Sequence, residues 1–241
     1  MKNILVLGLL ILFLSSCKTE VKKEKSYDDN VEVRDPELAK ESDREKIRTT
    51  AEAIADANGL QKWDKVKELK FTFNIDRDSS HYARSWSWKP KNDMVTLTSA
   101  QDTITYNRTQ LDSASIKADQ GFINDKYWLL APYNLVWDAA SFTSKHEVKA
   151  IAPISNTEMQ KLTIVYKDKG GYTPGDAYDF YFKGDFIIKE WVFRQGNTAE
   201  PSLITSWEDY QNFNGIKIAK THNRKDGNWK LYFTDVAVIM E

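Results

Sequence analysis

The chain of 241 residues contains one cysteine, at position 17, and three histidines. A lone cysteine excludes an internal disulfide and a cysteine-based metal cluster. His81, His146 and His222 stand far apart in sequence, with none at metal-ligand spacing from another, so each reads as a surface or strand-end residue. The chain also lacks a Gly-x-Ser-x-Gly elbow, a phosphate-binding glycine loop and any spacing that marks two carboxylates as a hydrolytic pair. The formal net charge is -1, which leaves no basic footprint for nucleic acid. After residue 17 no apolar run approaches the roughly 20 residues of a membrane-spanning helix. These absences set the expectation of no enzyme activity, no metal, no cofactor and no nucleic-acid partner. What the chain has in quantity is aromatic side chains, with 8 Trp, 11 Tyr and 11 Phe. Such residues fill cores and also line pockets for lipids and sugars.

The longest apolar run lies at the start. Lys2 precedes Ile4 to Leu14, a charged and then an apolar region too short to span a bilayer. Leu14-Ser15-Ser16-Cys17 resembles the bacterial lipobox, whose cysteine is acylated and becomes the first residue of the mature chain. Residues 1–16 are therefore expected to be a signal peptide and Cys17 a lipid anchor of palmitate type. That anchor would hold the protein to a membrane of the cell envelope, outside the cytoplasm, with the outer membrane favoured. Lys18 to Asp35 is crowded with Lys, Glu and Asp and nearly free of large apolar residues. Such a composition cannot bury a core, so residues 17–36 form the lipidated cysteine and a disordered tether. Residues 37–241 then make a single β-rich domain, monomeric by expectation.

Within that domain, Pro36 to Asn58 has helical spacing, with Leu38, Ile47, Ala51, Ile54 and Ala55 on one face and Gly59 placed to end it. Leu60 to Lys67 adds a short helical segment. From Glu68 the period changes to two: Phe71, Phe73 and Ile75 alternate with Thr72 and Asn74. Further strands are expected at 82–88, 93–98, 102–106, 147–151, 159–167, 177–183, 186–194, 203–211, 215–222 and 229–238. Along the last of these, Trp229, Leu231 and Phe233 have one parity and Val236 and Val238 the other, which predicts a β-bulge near Thr234-Asp235. Gly121 to Phe142 fits neither period and reads as a partly helical insert. Strand-helix-strand alternation is missing, so the sheet is antiparallel. The fold class is mainly β: a curved antiparallel sheet, a half-barrel of about eleven strands, with an N-terminal helix and the insert covering its concave face.

Gly170-Gly171-Tyr172-Thr173-Pro174-Gly175-Asp176 is the most distinctive local stretch. It reads first as a shaped hairpin connection, and otherwise as a loop at a pocket mouth with Tyr172 and Asp176 as contacts. Trp86 and Trp88 share a strand face flanked by Tyr82 and Arg84. Core packing is the default for them, a cavity wall or a sugar-stacking platform the alternative.

Two resemblances follow. Ala57-Asn58-Gly59-Leu60-x-x-Trp63-x-x-Val66-x-x-Leu69, leading into Phe71-Thr72-Phe73, resembles the opening of exported lipid-carrier-like lipoproteins. These include the lipoprotein-sorting carriers and receptors (LolA/LolB-like), half-barrels with a helical lid. Asn124-Asp125-x-Tyr127-Trp128-Leu129-Leu130-x-Pro132-Tyr133, the 171–176 loop, and Trp207-x-x-Tyr210 with Asn214-Gly215-Ile216 look like a domain family of unknown function in bacterial lipoproteins. The half-barrel resemblance implies an apolar cavity able to hold an acyl chain or lipid, in lipid or lipoprotein transport. Sorting carriers are soluble, however, whereas this chain carries its own lipidation signal. Phe73, Trp86, Trp88, Trp128 and Trp137, with Tyr172, are the candidate ligand contacts by aromatic character and position. The rival readings are a glycan-binding lipoprotein with exposed tryptophans and a structural envelope module whose aromatics are all core.

Overall fold

The computed structural model describes residues 48–169 and 173–241. The expected signal peptide, Cys17, the tether, the helical stretch 36–47 and Tyr172 lie outside the described residues. Thr50–Ala57 forms helix α1 and Leu60–Lys65 a 3-10 segment. Strands β1 (Val66–Arg77), β2 (Ser80–Lys89), β3 (Met94–Thr98) and β4 (Thr103–Asn107) follow, and then helix α2 (Ser113–Trp137). The second half holds β5 (Phe142–Ile151), β6 (Glu158–Tyr166), β7 (Ala177–Phe182), β8 (Ile188–Arg194) and β9 (Leu203–Ser206). It closes with β10 (Glu208–Phe213), β11 (Ile216–Asn223) and β12 (Trp229–Met240).

The described strands form two antiparallel sheets, one of seven in the order β10-β11-β12-β1-β2-β3-β4 and one of five in the order β5-β6-β7-β8-β9. The mainly β, antiparallel, curved architecture expected from the sequence is what the chain adopts, with twelve strands among the described residues rather than about eleven. The difference arises at 203–211, which breaks into two strands. β9 stays in the five-stranded sheet, Trp207 turns into the core with 2% of its surface exposed, and β10 joins the other sheet. The Trp207 N–H donates to the Lys189 carbonyl at the turn, and Asp209 takes a positive φ just beyond it. The sheets also meet through a Thr205–Arg224 bridge and a bond from the Asn223 N–H to the Ser206 hydroxyl.

Local chemistry explains the element ends. α1 opens with a capping box: the Thr49 hydroxyl accepts from the Glu52 N–H and the Glu52 carboxylate accepts from the Thr49 N–H. Gly59 ends it at φ 99°, and a Cβ there would lie 1.9 Å from the Gly215 carbonyl oxygen. Only glycine fits that approach. The bulge expected in β12 is present: Lys70 pairs with Ala237 and Thr72 with Thr234, one extra residue on β12, with Asp235 at φ 51°. The Asn74 side chain stitches it by donating to the Thr72 and Tyr232 carbonyls.

The central insert is partly helical as expected: α2 runs to Trp137 with a kink at Leu130, and the chain leaves it for β5 at Phe142. The helix starts earlier than expected, at Ser113, where Asp112 and Ser115 form a capping box. Leu130 leaves helical geometry (φ -125°, ψ 25°) just ahead of Pro132, which has no N–H to give and crowds the preceding turn. Every residue from Leu129 to Leu135 is buried. A helix enclosed on all sides shows no amphipathic stripe, which is why this stretch fits neither period. Phe122, Leu129, Leu130 and Tyr133 enter the core of the seven-stranded sheet, while Ala131 and Leu135 enter that of the five-stranded sheet. α2 is thus a shared wall between the two cores.

Candidate functional site

On the side of α2 facing the five-stranded sheet there is a cavity of about 820 Å³. Ile123, Tyr127 and Trp128 form its α2 wall. β6 supplies Tyr166, β7 Tyr178, β8 Trp191 and Phe193, and β9 Leu203. Tyr178 and Trp191 are buried and make the floor, whereas Gln120, Asn124 and Ser141 are exposed at the rim. The strand period puts Tyr178 on the same face as the core residues Phe180 and Phe182, and Trp191 on that of Phe193. The rings interlock: Trp128 lies 4.4 Å from Trp191, Tyr127 5.0 Å from Tyr178, and Tyr178 5.2 Å from Phe193, centroid to centroid.

Polar groups enter at a few points. The Tyr166 hydroxyl donates to Asp138 at 3.2 Å and lies 3.4 Å from the Tyr127 hydroxyl. Burial raises the pKa of the Tyr127, Tyr166 and Tyr178 hydroxyls far above the ordinary phenol range, so all three stay neutral. Arg108 reaches the cavity wall while bonded to Asp119 at 2.8 Å. Lys126 lies at the wall with its ammonium 3.3 Å from the Asn134 side-chain oxygen. Burial pushes its pKa down to about 8, with the Arg108 charge adding to the drop and Asp138 and Asp119 opposing it.

The residues singled out from sequence fall in different places. Trp128 lines the cavity. Phe73, Trp86 and Trp88 are packed in the core of the seven-stranded sheet, exposed by 2%, 2% and 7%, and take no part in the lining. The Trp86 indole N–H donates to Asp125 at 2.8 Å, and Arg84 grips the same carboxylate at 2.5 and 2.7 Å. Burial raises the pKa of Asp125 despite these donors. Trp86 and Trp88 therefore offer no exposed platform to a sugar. Trp137 is partly exposed and packs edge-on against Trp63 at 4.9 Å. In the 170–176 loop, Thr173 reaches the cavity, while the Asp176 carboxylate accepts from the Gly196 N–H.

Sequence reasoning missed Tyr127, Tyr166, Tyr178, Phe193 and Leu203. For Lys126 a signal existed: it is the one basic residue in the aromatic-rich stretch 121–142. His222 is buried at the end of β11, its ring 4.5 Å from Trp207, and burial lowers its pKa to about 3. Among the described residues no group of His, Cys, Asp and Glu is placed to hold a metal ion, and no helix is long and apolar enough to cross a membrane.

No family model matches the chain, and no curated protein matches it by sequence. Solved structures do. One is a DUF1329 family protein from Desulfovibrio piger, 9% identical, covering 79% of this chain and 94% of its own, with a TM-score of 0.45. A LolA superfamily protein from Nitrosomonas europaea is also 9% identical, covering 80% and 96%, with a TM-score of 0.47. A lipoprotein-sorting protein domain described as of the outer membrane, from Vibrio parahaemolyticus, is 10% identical over 78% and 93%, with a TM-score of 0.42. The sorting-protein resemblance read in the sequence recurs among these neighbours.

Proposed function

We propose that the protein is a non-enzymatic envelope lipoprotein, anchored through acylated Cys17, that binds a hydrophobic ligand in the cavity beside α2. The ligand class is an acyl chain or a lipid, and the role is carrying or receiving it. The observation that carries this reading is the cavity itself: about 820 Å³, walled mainly by Ile123, Tyr127, Trp128, Tyr178, Trp191 and Phe193. That volume lies within the roughly 300–1,000 Å³ typical of small-ligand sites. The rings pack on one another and leave the space beside them open, which suits a flexible chain better than a rigid sugar. Among the described lining residues there is no histidine, and the single carboxylate, Asp138, is engaged by Tyr166. This supports binding over hydrolysis.

The test is native mass spectrometry on the chain from Lys18, purified gently from bacterial cells. Extra mass that extracts as fatty acid or phospholipid is the expected result. A clean apo mass, with no uptake of added lipids, overturns the reading.

A further inference from the structure

The cavity has two chemical characters. Tyr178, Trp191, Phe193 and Leu203 make one part aromatic and apolar, whereas Lys126 puts an ammonium into the α2 wall. Of the basic side chains that meet α2, Arg84 and Arg108 each have a carboxylate of their own. Arg84 holds Asp125 at 2.5 Å and Arg108 holds Asp119 at 2.8 Å. Lys126 has only the neutral Asn134 oxygen at 3.3 Å and two indole faces, Trp137 at 5.2 Å and Trp88 at 5.7 Å. No carboxylate among the described residues forms an ion pair with it. An ammonium has three N–H donors, and one oxygen satisfies one of them. A cation placed at a cavity wall, backed by two ring faces and short of an acceptor, is arranged to receive an anion that arrives with the ligand.

We propose that Lys126 is a head-group anchor, so that the cavity takes a single-chain amphiphile with an anionic head. The anion pairs with the Lys126 ammonium, and the chain lies against Tyr178, Trp191 and Phe193. This rests on the reading of the cavity as a lipid site and narrows it to acidic lipids. The charged groups around Lys126 are Asp138 at the end of α2, Arg108 beyond β4, and Asp119 about two turns nearer the start of α2. Asp138 accepts from the Tyr166 hydroxyl and Asp119 pairs with Arg108, so both act on Lys126 at a distance and neither gives its ammonium a direct acceptor. With the free amine titrating near 8, the anchor is charged at neutral pH and weakens as pH rises past that point.

The experiment compares dodecanoate, dodecyl phosphate and dodecanol as probes, titrated into the chain from Lys18 at pH 7 and followed by tryptophan fluorescence. The expected result is that one or both anions bind about tenfold tighter than the alcohol, as a charge-assisted hydrogen bond requires. The ratio of dodecanoate to dodecyl phosphate then says whether a carboxylate or a phosphate fits. Lys126→Met abolishes the preference and leaves dodecanol binding within about twofold, while Lys126→Arg retains part of it. Retained dodecanol binding also shows that the Met variant is folded. The proposal is overturned if anion and alcohol bind alike in the parent, or if Lys126→Met keeps the preference. Both of these outcomes leave the lipid cavity standing. If none of the three probes binds, the lipid-site reading falls as well.

Discussion

The two faces of α2 meet sheets of the same kind and end differently. Towards the seven-stranded sheet, Phe122 wedges between Trp86 and Trp88 at 5.4 and 5.5 Å, and Phe71 and Phe73 close on Phe233. That side is filled, and even its charge pair, Arg84–Asp125, is tied off internally. Towards the five-stranded sheet, the rings of Tyr127, Trp128, Tyr178 and Trp191 touch one another along the walls and leave about 820 Å³ between them. Aromatic content alone does not separate a core from a pocket. What separates them is whether the contacts between helix and sheet fill the space around the rings, as at Phe122, or leave a volume beside them, as at Trp128 and Trp191.

Substitutions sharpen this contrast. Phe122→Ala on the filled side should lower the unfolding free energy by about 3–5 kcal/mol, since its ring is wholly buried. Chemical denaturation measures the loss, and lipid uptake per folded molecule should stay unchanged. Asp125→Ala strands the Arg84 guanidinium and leaves the Trp86 N–H without its acceptor, for a loss of about 3 kcal/mol.

His222 sits where the two sides meet, packed against Trp128 and Phe233, and its folded pKa near 3 lies below the ordinary value of 6.5. Between those values the unfolded chain takes up a proton that the folded chain refuses. This contribution is therefore constant above pH 6.5 and turns against folding as pH falls towards 3, by about 1.4 kcal/mol per unit. Urea unfolding of the parent and of His222→Phe at pH 7 and pH 5 should show their difference shifting by about 2 kcal/mol in favour of the variant. Equal shifts would show that His222 is protonated in the folded state. The smallest effect on stability is expected on the hollow side. Leu203→Trp should change the unfolding free energy by no more than about 1 kcal/mol, because the added ring enters open space, yet abolish lipid uptake. A large loss of stability with uptake intact would mean that the cavity is not where the lipid goes.

The filled side was more legible in the sequence than the hollow one. Phe71, Phe73 and Ile75 alternate cleanly because β1 has one face on the core, and the parity break in β12 marks the bulge at Asp235 without help from any contact. The same alternation places Tyr178 and Trp191 inward. It has no term for the distance to the opposing wall, and that distance decides whether Trp191 fills space or borders it. Choosing ligand contacts by aromatic character therefore selected Trp86 and Trp88, which are core, together with Trp128, which borders the cavity. The stretch 203–211 was illegible for another reason: Trp207 keeps an apolar pattern running while the backbone changes sheets.

That change of sheets has a consequence for how the chain is made. β1 to β4 and β10 to β12 belong to one sheet, and the whole of α2 and the five-stranded sheet intervene between them. β1 pairs with β2 across a two-residue turn, but its other neighbour is β12, and Asn74 bonds to Thr234 over 160 residues of chain. Contacts so distant in sequence slow folding, because a large loop must be closed before they form. During synthesis β1 presents an unpaired edge until the last strand appears, and such an edge pairs readily with strangers. Among the described strands, the first one made is the one that waits longest for its partner.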